Sequence, residues 1–228
     1  MWHRFLIECA SSLRPQFLIA ERAFARTIIF SIRIARMVGK RAKILSANNI
    51  EDLLVFARQT RHPIRNEVLV LLSVKAGLRA GEIGKLTWPM LIEPTGEMGT
   101  SLELQDRAAK KGSGRVIPVH PELRAALVKL AHLTLPMDGP VIRSERGGPM
   151  TPVSIICWFA RAFRAIGLEG CSSHSARRTF ITRAARLVHK AGGSLRDVQL
   201  LAGHRSIQTT QRYIDGDTDA QRKLVSLI

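Results

Sequence analysis

Three prolines stand directly before apolar stretches with helical spacing, and they limit where helices can begin. Pro63 is followed by a run rich in leucine and valine that ends at Gly77, and similar stretches follow Pro121 and Pro152. The first turn of a helix does not need the N–H group that proline lacks, and glycine readily closes a helix. The pattern therefore predicts a mainly helical domain.

Further helices are predicted where capping residues precede apolar residues at intervals of three or four. The helices that begin at Pro121 and Pro152 are expected to reach about His132 and Ile166. The others follow the caps at 46–49 and cover Ala80–Leu86, Ser172–Lys190, Ser194–Leu201, Ser206–Ile214 and Asp217–Ile228.

The apolar period changes after the third predicted helix. Trp88–Ile92, Ser101–Gln105 and Arg115–Val119 have the character of short strands and are separated by glycine-rich turns at 96–99 and 112–114. Such segments are typical of antiparallel strands. The expected fold is mainly α (α+β), with a small three-stranded antiparallel sheet.

The N-terminal segment, residues 1–45, has an irregular and basic sequence. Residues 1–46 contain nine lysines and arginines but only two glutamates, Glu8 and Glu21. Transit peptides and membrane-surface helices share this composition. A truncated helical domain, or translation from upstream of the true start, is the preferred interpretation. The regular domain is expected to occupy residues 46–228.

The charge of the chain indicates a polyanionic partner. Lysine and arginine number 35 against 18 acidic residues, a formal net charge of +17. This excess favours nucleic acid first and an acidic membrane surface second.

The three cysteines, Cys9, Cys157 and Cys171, are too few for a disulfide framework and suit the reducing cytoplasm. No apolar run of 18 residues interrupts the sequence, so no membrane span is predicted.

Two stretches place arginines where they could bind an anion. Arg79 lies at a predicted helix–helix corner, and Glu82 is close enough in sequence to cap the helix that follows. His174 and Arg177 are three residues apart, so on a helix they share one face and could bind one anionic group. The simpler interpretations are a surface arginine beside a capping box and the polar face of an exposed helix.

Three further candidates lie at turns. Lys110 and Lys111 are at the tip of the predicted hairpin, which is also consistent with a solvated basic turn. His204 follows Gly203 at a break between helices, where a core histidine is the simpler alternative. Tyr213, the only tyrosine of the chain, comes nine residues later. A lone tyrosine is more often a packing residue than a nucleophile.

No metal or cofactor site is predicted. Cys171 and His174 have zinc-ligand spacing, but no second pair accompanies them. The aspartates at 215, 217 and 219 are interpreted as helix caps and a solvated linker, and the stretch 146–148 is too short for a phosphate loop.

The order of these candidates resembles the tyrosine recombinase family, also called phage integrases, over roughly residues 46–215. Local stretches match as well as single residues, at 77–82, 110–119, 174–180, 201–204 and 209–213. The resemblance implies a catalytic set of Arg79, Lys110, His174, Arg177, His204 and Tyr213. Counting back from Arg115 selects Lys110, whereas matching the lysine next to the glycine selects Lys111.

The resemblance implies site-specific cleavage and rejoining of double-stranded DNA through a 3′-phosphotyrosyl intermediate. Tyr213 would attack the phosphodiester and Lys110 would protonate the leaving oxygen. It further implies assembly as a homo-tetramer on DNA, with C-terminal segments such as residues 217–228 docking between subunits, and a role in a phage, plasmid or other mobile element. One ester replaces another of similar energy, so neither a metal nor ATP is expected.

The sequence departs from the family pattern at two places. Ala202 stands where leucine is usual before Gly203. Family members also usually carry a helical DNA-binding domain ahead of the catalytic one, and residues 1–46 are too short to form it. Two other functions therefore remain open. One is a DNA-binding remnant without recombination activity; the other is a type IB topoisomerase-like relaxer, which the short spacing from His204 to Tyr213 disfavours.

Overall fold

The computed structural model describes residues 42–109, 112–134 and 137–214, together with residues 222, 225, 226 and 228. The expectations for residues 1–41 and for Lys110 and Lys111 lie outside the described residues, as do most of those for 217–228. Contacts group Ala42–Ile228 into one unit. Leu45 is buried in its core, so this unit includes residues just before Ser46.

Eight α-helices lie within the described residues, and their starts follow the caps seen in the sequence. Pro63, Pro121 and Pro152 each occupy a first helical position, and Ser46 forms a capping box with Asn49. The helices are α1 (Ala47–Arg58), α2 (Pro63–Val74), α3 (Ala80–Ile83), α4 (Pro121–His132), α5 (Pro152–Ala165), α6 (Ser173–Leu187), α7 (Leu195–Ala202) and α8 (Ile207–Gln211). The predicted helical character of the domain is thereby confirmed.

Helix α2 is at the centre of the core. Every residue from Val68 to Val74 is buried. A helix that is apolar on all sides must be surrounded by other elements, and α2 packs against α1, α4 and α6. It thereby fixes the position of α6, which contains His174 and Arg177.

Within the described residues the sheet has two strands rather than the predicted three. Strands β1 (Ser101–Leu104) and β2 (Arg115–Pro118) are antiparallel, with Ser101 opposite Pro118. The segment predicted as a further strand, Trp88–Ile92, instead contains a 3-10 helix at Trp88–Met90, and only an isolated bridge joins Ile92 to Met98.

Proline explains this difference. Pro89 cannot donate to a strand ladder but fits the start of a helical turn. The N–H groups of Met90 and Leu91 bond three residues back, to Thr87 and Trp88, at 3.1 and 2.8 Å.

The C-terminal helices are joined by tight turns. Helix α6 ends earlier than predicted, at Leu187, and continues as a 3-10 helix at Val188–Ala191. Helix α7 packs against α6, α8 and β2. Among the described residues, none of the helices has the length and apolar character needed to cross a membrane.

Candidate functional site

Arg79 is the N-cap residue of helix α3 and is oriented by Glu82. The backbone N–H of Arg79 donates to Glu82 Oε2 at 2.9 Å, as the capping box predicted, and its Nη1 donates to Glu82 Oε1 at 2.6 Å. The second terminal nitrogen of the Arg79 guanidinium, Nη2, is 3.5 Å from the carbonyl oxygen of Gly203. One side chain therefore connects the start of α3 with the turn before His204.

Arg177 is almost fully buried, with 4% of its surface exposed. It donates to the carbonyl oxygen of Gly77, to that of Ala202 at 2.6 Å, and lies 3.2 Å from His204 Nε2. A guanidinium has five N–H donors, so Arg177 can donate further hydrogen bonds in addition to these three contacts. The interpretation of 174–177 as the polar face of an exposed helix is wrong for Arg177.

The turn at Gly77 admits only a small residue. Its φ is +64°, and a Cβ there would be 2.3 Å from the ring of Phe180. Glycine alone meets both conditions without strain. The carbonyl oxygen of Gly77 is thereby held within reach of Arg177.

His204 lies between Arg177 and Thr210. Its Nδ1 is 3.0 Å from Thr210 Oγ1. Because arginine only donates, Nε2 accepts from Arg177, and a neutral imidazole then carries its proton on Nδ1 and donates to Thr210. The backbone is held as well, since Gln199 Nε2 donates to the His204 carbonyl oxygen at 2.9 Å.

Tyr213 is beside His204 and is half-buried. The two rings stack with centroids 5.4 Å apart and planes at 23°. The guanidinium carbon of Arg178 is 5.6 Å from the centre of the Tyr213 ring, and Thr182 Oγ1 donates to the Tyr213 carbonyl oxygen at 3.4 Å. The ring also packs against a small apolar cluster that includes Ile181.

Arg115 supports the site from strand β2. It makes two contacts with Glu82, at 3.3 and 3.1 Å, and its Nε donates to the Leu201 carbonyl oxygen at 2.8 Å. In the sequence, Arg115 stands out only as the start of a predicted strand and as the position from which Lys110 is selected. Its role depends on contacts between distant segments, which periodicity does not report.

The electrostatics follow from burial and from this concentration of arginines. Burial alone would raise the pKa of the Glu82 carboxyl, but Arg115 and Arg79 hold that pKa below its ordinary value. Burial, followed by the charge of Arg79, lowers the pKa of Arg177 to about 10, so it stays charged at neutral pH. Burial, followed by the charge of Arg177, lowers the pKa of His204 to about 4. His204 is therefore neutral at pH 7.

The structure brings together four of the six residues selected from the sequence: Arg79, Arg177, His204 and Tyr213. His174 is exposed near the start of α6, one turn before Arg177. Lys110 is outside the described residues, as is Lys111; the described hairpin resumes at Gly112.

Two arginines, a neutral histidine and a tyrosine lie together at one place, an arrangement that could bind an anion next to a hydroxyl group. The chain belongs to the phage integrase family, whose sequence profile matches residues 43–219. This match covers every described residue of the candidate site.

The curated relatives are tyrosine recombinases. The chain is 29% identical over 202 residues to tyrosine recombinase XerC of Bradyrhizobium diazoefficiens, covering 86% of this chain and 60% of that protein. It is 31% identical over 198 residues to tyrosine recombinase XerC of Rickettsia typhi, covering 82% and 60%. The chain thus spans about 60% of the length of these relatives.

Solved structures share the fold. The XerA recombinase has a TM-score of 0.64 at 22% identity, over 83% of this chain and 65% of that one. The Tn1549 transposon integrase, in complex with a circular intermediate DNA, has a TM-score of 0.64 at 18% identity, over 83% and 67%. The helical fold with its small sheet is therefore the fold of known recombinases.

Proposed function

We propose that this chain cuts and rejoins double-stranded DNA at specific sites, with Tyr213 as the nucleophile. One observation carries the proposal: Arg177 and His204 are in contact, and Tyr213 stacks on His204. Family membership and the net charge of +17 support a DNA substrate.

The reaction exchanges one phosphodiester for another ester. Tyr213 Oη attacks the phosphorus, the bond from phosphorus to the 5′-oxygen breaks, and a 3′-phosphotyrosyl link and a 5′-hydroxyl remain. The phenol proton passes to a base, for which His174 is the proposed group, and Lys110 gives a proton to the leaving 5′-oxygen. Reversal with another DNA end rejoins the strand.

The arginines stabilise the transition state. Negative charge grows on the non-bridging oxygens during attack, and preorganised donors stabilise it most. Arg79 and Arg177 are held by carbonyl and carboxylate oxygens before DNA arrives, so little reorganisation is needed when the phosphate binds. His204 is the proposed third donor to that phosphate.

The resting tautomer of His204 has a consequence for this role. Its Nε2 accepts from Arg177, so it can donate to a phosphate only after it gains a proton or exchanges its partner. A bound phosphate would favour the protonated imidazole. We therefore expect DNA binding to be accompanied by proton uptake at His204.

The proposal includes assembly on DNA. The lambda integrase with a TM-score of 0.61 to this chain is a dimer bound to a core site. For the present chain we propose a homo-tetramer on paired sites, in the cytoplasm, with residues 217–228 docking between subunits. Deleting residues 217–228 should abolish assembly on DNA in sedimentation experiments; unchanged assembly would contradict this part.

The function is tested by trapping the covalent intermediate without knowing the target in advance. The protein is incubated with a pool of duplexes that carry a randomised segment and a nick on its 3′ side. Cleavage near the nick releases a short 5′-hydroxyl fragment, so religation is prevented and the adduct accumulates. Strands that stay bound to protein in denaturant are recovered and sequenced, and enrichment of one sequence is expected.

Tyr213→Phe is the matched control, because it keeps the ring and removes only the hydroxyl. It should bind DNA and give no adduct. Equal adduct from Tyr213→Phe would eliminate Tyr213 as the nucleophile. Salt-sensitive DNA retention without any adduct from the native protein would favour the alternative function, a DNA-binding remnant.

A further inference from the structure

Besides the apolar cluster that includes Ile181, two polar residues of helix α6 contact Tyr213. Arg178 and Thr182 are four residues apart, so they lie on the same face of the helix. Thr182 Oγ1 donates to the Tyr213 carbonyl oxygen at 3.4 Å, and the Arg178 guanidinium lies 5.6 Å from the centre of the Tyr213 ring. One residue thus holds the backbone of Tyr213 and the other contacts its ring.

The ring depends on such contacts because Tyr213 lies beyond the regular part of α8, which ends at Gln211. Its N–H donates to the Thr210 carbonyl oxygen at 3.0 Å, which orients the backbone but leaves χ1 and χ2 free. Side-chain neighbours must therefore select the ring orientation.

Arg178 is placed for that purpose. Its Nε is buried and makes no hydrogen bond within the part of the chain that the structure describes. An arginine over an aromatic face is attracted by the negative charge of that face, and the attraction grows as water is excluded. The ring of Tyr213 is thus a principal partner of Arg178.

We propose that Arg178 is a positioning residue for the nucleophile, holding the Tyr213 ring in its stacked place beside His204. The effect of this contact on the reaction rests on the proposed function, whereas the contact between Arg178 and Tyr213 does not. Arg177 faces the phosphate site, whereas its neighbour in sequence orients the attacking group. Two adjacent arginines of α6 thereby have different tasks.

The geometry can be tested without DNA, since Tyr213 is the only tyrosine of the chain. Incorporation of 3-fluorotyrosine gives a single ¹⁹F NMR signal that reports on this ring alone. Arg178→Met keeps an apolar stem and removes the cation, so the signal should move toward its position in urea-unfolded protein. Arg178→Lys keeps a cation and should stay near the native position.

Arg61→Met is the matched control. Arg61 is an exposed arginine that pairs with Glu145 at 3.3 Å, so the same substitution removes the same charge from a contact that does not involve Tyr213. Its ¹⁹F signal should not change. An unchanged signal in Arg178→Met, or an equal change in Arg61→Met, would overturn the proposal.

The consequence for the reaction is measured as the rate of adduct formation on the nicked duplex. Loss of the cation–ring contact should slow it roughly 3- to 30-fold in Arg178→Met, with rescue by Arg178→Lys. If the ¹⁹F signal moves but native protein forms no adduct, the positioning role stands and the proposed function fails. If the native protein forms adduct and Arg178→Met forms it at the native rate, the positioning role fails.

Discussion

Arg115 and Glu82 form a buried ion pair beneath the candidate site, with side-chain exposures of 7% and 2%. Glu82 also pairs with Arg79 at 2.6 Å, so one carboxylate orients two arginines. Arg115 in turn holds the Leu201 carbonyl oxygen. The start of α3, strand β2 and the end of α7 are therefore joined at one carboxylate.

We expect Arg115→Met to be strongly destabilising. It removes one counter-charge of a buried carboxylate, and breaking a buried pair typically costs about 3–5 kcal/mol. Lys75→Met is the control, because it breaks the Lys75–Glu122 pair, which is partly exposed and should contribute about 1 kcal/mol or less. Urea unfolding measures both, and equal losses would contradict the role of Arg115.

Replacing both partners separates folding from chemistry. A Glu82→Leu/Arg115→Met double variant leaves no unpaired charge between the two positions and should regain much of the lost stability. It should remain poor at forming the DNA adduct, because Arg79 has lost its carboxylate partner. Full recovery of adduct formation would show that the network is not needed to orient Arg79.

The low pKa of His204 predicts acid sensitivity. Its folded-state pKa is about 4, whereas the unfolded chain takes up the proton near pH 6.5. Because the folded pKa is the lower one, this contribution to stability is complete above about pH 6.5 and is lost as pH falls toward 4. His204 is partly exposed, so we expect a loss of only about 1–2 kcal/mol.

The test compares urea unfolding at pH 7.5 and 4.5. His204→Gln should lose less stability than the native protein between these two values, and the difference isolates His204 from other titrating groups. His132→Gln, at an exposed histidine outside the candidate site, is the control for the substitution itself. A His204→Gln variant with the native pH dependence would refute the prediction.

Gly203→Ala should both destabilise the protein and impair the site. Gly203 has φ +60°, and an added Cβ would lie 2.6 Å from Arg115 Nη1. Gly192→Ala provides the control, since Gly192 has φ +71° and open space around it. Both variants should bear a left-handed strain of roughly 1 kcal/mol, and only Gly203→Ala should add the clash. Equal unfolding free energies would argue against it.

Lys110 and Lys111 can be distinguished by the leaving group. Removing a general acid should slow cleavage about 10²- to 10⁴-fold, and a DNA with sulfur in place of the 5′-bridging oxygen should reverse the loss, because a thiolate leaves without protonation. We expect Lys110→Ala to show both effects and Lys111→Ala neither. Adduct assays on the two substrates decide between them, and the opposite pattern would assign Lys111.

The sequence predicts local features well and distant contacts poorly. Helix starts at Pro63, Pro121 and Pro152 follow from the chemistry of single positions, and the link from Arg79 to Glu82 lies within one helical turn. The turn at Trp88–Met90 is predicted as a strand because its residues are mostly apolar, whereas Pro89 favours the helical turn that the structure shows.

The site shows the same division. The candidate arginines follow from the ordered motif, but the burial of Arg177 depends on Gly77 and Ala202, which are 100 and 25 residues away in sequence. The Arg115–Glu82 pair and the contact of Arg178 with Tyr213 likewise join distant segments. Only the folded chain shows such contacts.

Arg177 donates to the carbonyl oxygen of Ala202, the last residue of α7, and to that of Gly77 in the turn after α2. Among degenerate copies of such a gene, selection for a folded product would keep this arginine long after DNA cleavage was lost. The presence of Arg177 is therefore expected from folding as well as from the proposed activity. Exchange of Tyr213 for phenylalanine would leave packing intact, so under the proposed function that position would distinguish a working copy from a silent one.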